Sequence, residues 1–437
     1  MFTKHFLEGC CGLLLGIFAC TVQAAPDIQH WTTPNGARVY FVPSPELPML
    51  DVRVEFDAGS ARDGKLAGLA NLTNHMLGLG SNGLSATKMA QRFEGVGANF
   101  TRGAEADMAW VQVRSLVEPK WMDTALDSLT LVLTRPNFAA EDFERERKRV
   151  LTSIESEKQD PGDIASRAFY KAVYGDHPYG HMTKGTEEGV NALKREDLLQ
   201  FYKKYYVAKN AVVAITGQVT RKQAEAIAAR LVDKLPTGEK APPLPPVPAL
   251  TEAKTIRIDY PSTQTHVLIG QPGMYRGDPD YFALYVGNHA LGGSGLVSRL
   301  SDEVREKRGL SYSVYSYFLP MARKGPFIMG MQTRNDQLDE GLKIMWKTLR
   351  DYLDKGMTQE ELVDSRKNIT GGFPLRIDSN SKILEYIAMI GFYNLPLTYL
   401  DDFNKNVETP TLERIRQAMR TRLHPDKMVT VIVGGGH

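Results

Sequence analysis

Cysteine is nearly absent from this chain, and its placement excludes several kinds of chemistry. The 437 residues include three cysteines, Cys10, Cys11 and Cys20, all of them in the N-terminal segment. That segment has the layout of a secretory signal, so the mature chain is predicted to contain no cysteine. Disulfides, thiolate zinc sites and cysteine nucleophiles are therefore excluded together.

The sequence also lacks a strong charge excess and a membrane-spanning apolar run. Lysine and arginine total 53 against 51 acidic residues, so nothing indicates a nucleic-acid or anionic-membrane partner. The apolar stretch from Cys10 to Ala19 is too short to span a bilayer as a stable helix, and no other stretch could cross a membrane. We therefore predict no integral membrane segment.

The first 24 residues are interpreted as a cleavable signal peptide. A basic residue precedes the apolar run, and cleavage is expected after Ala24, because Pro26 disfavours cleavage one residue later. A lipid anchor through Cys20 is the weaker alternative, since the bulky Phe18 stands where small residues are usual. Export of a cysteine-free chain to an oxidising compartment indicates a bacterial periplasm.

The length predicts two domains of roughly 200 residues, joined by one proline-rich linker. Six prolines lie between Pro236 and Pro248, so this stretch is expected to be an extended, semi-rigid spacer. The predicted organisation is a signal peptide (1–24), an N-terminal domain (25–234), the linker (235–250) and a C-terminal domain (251–437). A composition that is 42% hydrophobic and 24% charged is typical of globular domains.

The two predicted domains resemble each other at an offset of roughly 215 residues, which indicates an internal duplication. Leu69–Gly80 (LANLTNHMLGLG) matches Ala283–Gly295 (ALYVGNHALGGSG), so that Asn74-His75 corresponds to Asn288-His289. The other matching segments are two helix–break–helix stretches, 123–154 and 337–369, and two buried strands, 212–217 and 429–434.

Each half mixes strands and helices without strict alternation, which favours an α+β fold. Strands are predicted at 39–42, 51–58 and 108–116, with a hairpin turn at 33–36 (Thr-Pro-Asn-Gly). We expect two homologous domains, each a mainly antiparallel sheet covered by helices.

A helix is predicted from Gly64 to Gly80, and it contains the segment Asn71-Leu-Thr-Asn74-His75. At 100° per residue the apolar side chains form a core-facing stripe, and Asn71, Asn74 and His75 fall together on the opposite side. A polar trio facing away from the core is typical of an active-site helix. An ordinary solvated face has the same pattern, so spacing alone leaves both interpretations open.

The first half resembles the pitrilysin/insulinase family of zinc peptidases, the inverzincins, whose helix carries His-x-x-Glu-His. In that family the two histidines and a glutamate on a later helix bind zinc, and the glutamate of the motif activates water. Matched to this chain, those motif positions hold Asn71, Asn74 and His75, in that order. The later ligand position, within 144–161, holds Ser153. The resemblance implies a degenerate zinc site.

Neighbouring residues do not restore that site. Glu146 matches an acidic position of the family that is not a ligand, and Glu155 is two residues from the ligand position and would point elsewhere on the helix. His177 and His181 are spaced i,i+4, but the proline and glycine between them indicate a loop. One imidazole cannot hold Zn²⁺ against water, since catalytic sites use three protein ligands. We predict that this chain binds no metal and no other cofactor.

A second candidate site lies in a predicted helix–turn–strand segment of the second half. A helix is predicted from Leu296 to Lys307, a helix stop at Gly309 and a strand from Ser311 to Phe318. The reversal allows Arg305 and Tyr312 to approach the same pocket.

Two interpretations of Arg305 and Tyr312 are open from the residues alone. In the plain one, Arg305 pairs with a nearby acid such as Asp302 and Tyr312 packs on the sheet. The segment also resembles the Arg/Tyr segment of the same family, in which an arginine is followed seven residues later by a tyrosine. Family members use this pair to bind the substrate backbone and to stabilise the charge developing on the scissile carbonyl.

In two-chain bacterial members of the family, one subunit carries the zinc motif and the other the Arg/Tyr pair. The resemblance therefore implies a non-catalytic, substrate-binding subunit of a periplasmic peptidase. It would form half of a clamshell around peptide, with a catalytic partner that carries intact His-x-x-Glu-His and the zinc. The alternatives are a non-proteolytic scaffold or assembly protein of the same fold, and a stand-alone metallopeptidase with an atypical site.

Overall fold

The structure is a computed structural model and describes residues 26–435. The predicted signal peptide, its cleavage point and the three cysteines lie outside the described residues. Among the described residues, no helix has the length and apolar character needed to cross a membrane.

The strands are β1 (Gln29–Thr32), β2 (Arg38–Pro43), β3 (Met49–Phe56), β4 (Gly80–Ser81), β5 (Leu84–Ser85), β6 (Asn99–Ala104), β7 (Ala109–Leu116), β8 (Ala211–Gly217), β9 (Lys254–Ile258), β10 (Gln264–Pro272), β11 (Ser311–Phe318), β12 (Pro326–Arg334) and β13 (Val429–Val433). The α-helices are α1 (Leu69–Met76), α2 (Ala86–Glu94), α3 (Pro119–Thr134), α4 (Ala140–Glu157), α5 (Pro161–Tyr174), α6 (Glu187–Ala192), α7 (Arg195–Tyr205), α8 (Arg221–Val232), α9 (Tyr281–Asn288), α10 (Leu338–Lys355), α11 (Gln359–Gly372), α12 (Asn380–Tyr393), α13 (Phe403–Glu408) and α14 (Leu412–Arg422).

Two large mixed sheets form the framework, and their topologies repeat. The first has the order β1-β2-β8-β3-β7-β6 and the second the order β9-β13-β10-β12-β11. All neighbours are antiparallel except β2 with β8 and β9 with β13, which are parallel. Apart from β1, each strand of the first sheet has a counterpart in the second, so that β2-β8-β3-β7-β6 corresponds to β9-β13-β10-β12-β11. The expected α+β fold with two homologous, mainly antiparallel sheets is confirmed.

Several local predictions are also confirmed. The turn at 33–36 joins β1 to β2, with the Gly36 N–H donating to the Thr33 carbonyl and Gly36 at φ +100°. The break at Pro136 separates α3 from α4, and the break at Gly356 separates α10 from α11. Residues 236–250 contain neither helix nor strand, as expected of a proline-rich linker. The domain boundaries themselves stay a prediction.

The two halves exchange helices across their interface. Helix α12, from the second half, packs on β2, β3 and β8 of the first sheet, and α5, from the first half, packs on β10 and β13 of the second. Tyr40 and Val212 of the first sheet accordingly belong to the core of the second half. A Cβ atom at Gly391 on α12 would lie 2.6 Å from the Tyr40 ring, so the close approach of this helix requires glycine.

A buried carboxylate also connects the halves. Asp107, in the turn between β6 and β7, is 3% exposed. Its oxygens accept hydrogen bonds from the Tyr179 hydroxyl at 2.5 Å, the Tyr393 hydroxyl at 2.9 Å and the Ala322 backbone N–H at 2.7 Å. Burial raises the pKa of Asp107, and these hydrogen bonds counter that rise. We call these four residues the Asp107 latch.

Candidate functional site: a degenerate zinc cleft and an exposed Arg/Tyr pair

The helix predicted from Gly64 to Gly80 is shorter than expected, since α1 covers only Leu69–Met76. Gly68 at its N-terminus has φ +104°, which interrupts a helix that would otherwise begin earlier. Asp63 accepts hydrogen bonds from the backbone N–H groups of Gly68 and Ala70, both at 2.7 Å, and so fixes the start of α1.

The polar side of α1 does not face solvent. Helix α7 packs against α1, as do α4, β6 and β7, and both Asn71 and Asn74 are buried. The Asn74 amide donates to the Trp110 backbone carbonyl at 3.1 Å and to the Tyr206 hydroxyl at 3.4 Å. The interpretation as a solvated face is therefore wrong. At the position where the family has its general base, this chain has an amide that binds a neighbouring strand.

His75 is a neutral imidazole in cationic surroundings. Burial first, and then the charges of Arg102, Arg149 and Lys184, together lower its pKa to about 4. Its Nδ1 atom is buried without a hydrogen-bond partner. A dication near this ring would face repulsion from three positive side chains.

The later ligand position is likewise occupied by other contacts. The Lys184 ammonium donates to the Ser153 hydroxyl at 2.9 Å and lies 2.5 Å from a Glu157 oxygen. Glu146 is buried, with Arg149 Nε 3.4 Å from one of its oxygens, and Glu155 is exposed and pairs with Lys158. Of these two carboxylates, Glu155 is therefore engaged at the surface, and Glu146 is the buried one, beside Arg149.

The residues present do not fit zinc. A catalytic zinc site needs three converging protein ligands, and this cleft offers one imidazole, two amides and a hydroxyl among cations. Within residues 26–435, no group of three or more His, Cys, Asp or Glu side chains is arranged to hold a metal ion. His177, in a loop as predicted, has Nε2 3.1 Å from the Pro245 carbonyl, and His181 Nε2 is 4.0 Å from Asp63.

The neutral state of His75 predicts a specific acid sensitivity. In the unfolded chain this ring gains a proton near its ordinary pKa of 6.5, whereas in the folded protein it resists protonation to about pH 4. The unfolded state thus binds more protons between these values, and stability falls as the pH falls through this window. His75→Gln should reduce the loss of unfolding free energy between pH 7 and pH 4.5 by about 2 kcal/mol.

Urea unfolding of the wild type and of His75→Gln at pH 7 and at pH 4.5 measures this difference. The contributions of titrating groups that both proteins share cancel in the comparison. The matched control is His424→Gln, because His424 is exposed and forms its hydrogen bond through its backbone N–H. An equal loss of stability in the wild type and in His75→Gln would contradict the prediction.

The histidine at the matching position in the second half, unlike His75, has hydrogen-bond partners for both ring nitrogens. His289 Nδ1 lies 3.0 Å from the Ser365 hydroxyl, and Nε2 lies 3.1 Å from the Asn368 amide oxygen. Asn288 donates to the Ser316 carbonyl at 3.0 Å, much as Asn74 donates to Trp110. In both halves, the asparagine of the repeated Asn-His pair therefore attaches a helix to a strand.

The segment with Arg305 and Tyr312 departs from one sequence prediction and agrees with two. The regular helix expected from Leu296 to Lys307 is wrong: a 3₁₀ turn, Gly295–Val297, and a π-helical turn, Ser301–Glu306, take its place. The stop at Gly309, with φ +62°, and the strand Ser311–Phe318 are as predicted. π-Helical turns are rare and occur often at functional sites.

Arg305 and Tyr312 lie together at the surface. The guanidinium carbon is 4.6 Å from the centroid of the tyrosine ring, and the Tyr312 side chain is 84% exposed. Arg305 Nε is 3.4 Å from Glu306, whereas Asp302 pairs with Lys307 at 2.6 Å. The plain interpretation is therefore wrong for Tyr312, which is exposed, whereas Arg305 does pair with a nearby acid, Glu306 instead of Asp302.

A β-bulge places the tyrosine. Strand β11 pairs with β12 through Ser311 opposite Thr333 and Ser313 opposite Gln332, which leaves Tyr312 without a partner residue. A bulge of this kind bends a strand and redirects a side chain, and bulges are common beside functional sites. The catalytic role of the pair stays a prediction.

No sequence pattern indicates the cations around His75. Arg102 lies on β6, Arg149 on α4 and Lys184 in the loop before α6, so no local spacing links them. They are recognised only when the elements meet in space.

Comparison with known proteins identifies the family. The family model of insulinase (peptidase family M16) matches residues 38–187, and the model of the peptidase M16 inactive domain matches residues 192–369. An uncharacterised zinc protease of Mycobacterium leprae is 31% identical over 360 residues, which are 80% of this chain and 79% of that protein. A non-peptidase homologue of Helicobacter pylori, YmxG, is 26% identical over 96% of this chain and 97% of its own length.

Solved structures extend the likeness to three dimensions. A peptidase M16 inactive domain from Pseudomonas fluorescens is 41% identical, with a TM-score of 0.90 over 93% of this chain and 97% of its own. A protease from Helicobacter pylori shares the fold, with a TM-score of 0.86 at 19% identity and coverage of 93% and 99%. The chain belongs to the insulinase family of peptidases, family M16.

Proposed function

We propose that this protein is the zinc-free, substrate-binding subunit of a two-chain periplasmic zinc metallopeptidase. In the complex it closes as one half of a clamshell around peptide. A partner subunit with intact His-x-x-Glu-His supplies the zinc and the water-activating glutamate. Arg305 and Tyr312 bind the peptide backbone and donate hydrogen bonds to the reacting carbonyl.

The observation that carries this proposal is the exposed Arg305–Tyr312 pair on the bulge of β11. A guanidinium and a phenol are strong donors, and this exposed tyrosine makes little contact with its own chain. Donors aimed at an oxygen where negative charge develops stabilise the transition state more than the ground state. Such a pair has a chemical use only where another molecule brings an acceptor to it.

The position of β11 in its sheet fits an extended peptide. Strand β11 is the outermost strand of the second sheet, so one of its edges is unpaired within the described chain. An edge strand offers backbone donors and acceptors to a peptide that adds as a further strand. A peptide held along such an edge would pass beside Arg305 and Tyr312.

Reconstitution tests the proposal. This chain and a zinc-binding subunit of the family from the same organism should each cleave a peptide library slowly or not at all, and the mixture should cleave it rapidly. Co-purification of the two chains, followed by the cleavage assay on each alone and on both, measures this. The matched control is the same mixture with the glutamate of the partner's motif replaced by glutamine.

Two results would contradict the proposal. A stable complex without peptidase activity would favour the scaffold function. Chelator-sensitive cleavage by this chain alone, with stoichiometric zinc in the purified protein, would favour a stand-alone peptidase.

A further inference from the structure

A cavity of about 540 Å³ lies in the second half, at the place that matches the zinc cleft of the first. It is lined by α9, the end of β11, α11 and the 3₁₀ turn Pro374–Arg376. In the first half, the corresponding elements α1, β6 and α4 surround His75. The duplicated fold therefore has a second cleft, with different side chains.

The charge in this cavity is positive and uncompensated. Arg276 and Arg376 line it, and no aspartate or glutamate is among its lining residues in the described chain. The Arg276 Nε atom is buried without a hydrogen-bond acceptor. Arg376 approaches the Tyr285 ring, with its guanidinium carbon 5.9 Å from the ring centroid.

The two carboxylates that follow Arg276 in the chain are bound to another arginine, since Asp278 and Asp280 pair with Arg422 at 2.8 and 2.9 Å. Glu105 and Glu385 line the neighbouring cavity that Arg276 also borders, but neither forms an ion pair with it. Among the described residues, no carboxylate lies within ion-pair distance of Arg276 or Arg376. A buried donor without an acceptor is costly, and a ligand that supplies the acceptor removes this cost.

Two other polar side chains on the wall are already hydrogen-bonded. His289 contacts Ser365 and Asn368 with its two ring nitrogens, and Asn288 is hydrogen-bonded to Ser316. The buried donor on this wall that lacks an acceptor is therefore Arg276 Nε, and Arg376 adds a second positive charge. Guanidinium groups match a carboxylate in shape, because each can form two parallel hydrogen bonds to it.

The cavity is continuous with the space between the two halves. Arg276, Leu319 and Pro320 line both this cavity and a neighbouring one of about 630 Å³, whose walls come from both halves. A chain segment lying between the halves can therefore reach Arg276 without leaving the interior.

We infer that this cavity binds a carboxylate group of a peptide, held between Arg276 and Arg376. The carboxylate is either the C-terminus of the peptide or the side chain of an acidic residue. The inference rests on the proposed function only in taking a peptide as the ligand. It adds a preference in substrate selection that Arg305 and Tyr312 do not supply.

Fluorescence anisotropy with the isolated full-length chain tests this without any partner subunit. The probes are a labelled ten-residue neutral peptide with a free C-terminus, its C-terminal amide, and the amide with one internal aspartate. The free-acid peptide should bind at least tenfold more tightly than the plain amide. Recovery of binding by the aspartate peptide identifies a side-chain carboxylate as a ligand, and no recovery identifies the terminus alone.

Arg276→Gln and Arg376→Gln should each weaken binding of the free-acid peptide at least tenfold, whereas the control Arg420→Gln, on the exposed side of α14, should leave it unchanged. Arg376 is exposed, so its variant keeps the test valid if Arg276→Gln fails to fold. Three results would overturn the inference. One is equal affinity of the wild type for the free-acid peptide and its amide, and another is equal affinity of the wild type and both arginine variants for the free-acid peptide. The third is that no probe binds. Turnover by the reconstituted complex tests the proposed function and requires the partner subunit, whereas this binding assay uses the isolated chain, so failure of one proposal is distinguishable from failure of the other.

Discussion

Arg305→Ala should lower kcat of the reconstituted peptidase by about 10²–10³-fold, and Tyr312→Phe by a similar factor, because each removes one preorganised donor to the developing oxyanion. KM should change far less than kcat, since the lost interaction is made mainly in the transition state. Steady-state kinetics on the mixed complex, with the two subunits at saturating ratio, measures both constants.

Two neighbours provide matched controls for this experiment. Arg308→Ala removes a guanidinium three residues away that is bound to Glu303, and Tyr315→Phe removes a hydroxyl from the same strand. Both controls should retain nearly full activity. The Arg305–Tyr312 contact itself is worth only about 0.5–1 kcal/mol at an exposed site, so both variants should fold. Unchanged turnover by Arg305→Ala and Tyr312→Phe would remove the pair from the mechanism.

Asp107→Ala should lower the free energy of unfolding by about 3–5 kcal/mol, the largest effect on stability that we expect from a single polar residue. The substitution leaves two buried tyrosine hydroxyls and one backbone N–H without their acceptor. These donors come from both halves, so the loss weakens the interface between them. Guanidinium chloride unfolding, followed by circular dichroism, measures the change.

Tyr393→Phe is the graded control for the latch. It removes one of three hydrogen bonds and keeps the carboxylate and its other donors, so it should cost about 1–2 kcal/mol. If Asp107→Ala costs no more than Tyr393→Phe, then solvent replaces the missing acceptor and the latch does not join the halves.

The sheets were predictable because their signals are local. Alternating strands such as Ser311–Phe318 and the Thr-Pro-Asn-Gly turn before β2 each fix a conformation within a few residues. Because the two halves are homologous, a strand recognised in one half also indicates the matching strand in the other half. The helix around Asn71–His75 was placed correctly, but its length was not, because its start depends on Gly68 in a left-handed conformation and on the Asp63 carboxylate.

The surroundings of the cleft could not be predicted in the same way. The sequence shows that zinc ligands are missing, but Arg102, Arg149 and Lys184 come from three distant segments. Burial of Asn74 follows from packing on α7 and β7, which no spacing along α1 reveals. Arg276, in the segment between β10 and α9, and Arg376, in the 3₁₀ turn, are a hundred positions apart and line one cavity.

The helix exchange constrains the order in which the molecule can fold during synthesis. One face of the first sheet is covered by α12, whose residues 380–393 leave the ribosome only after most of the chain has been made. The N-terminal half therefore remains incomplete while the linker and the second sheet emerge, and the halves must mature together. Cutting the backbone within 236–250 should accordingly yield two fragments that remain associated and interdependent, rather than two autonomous proteins.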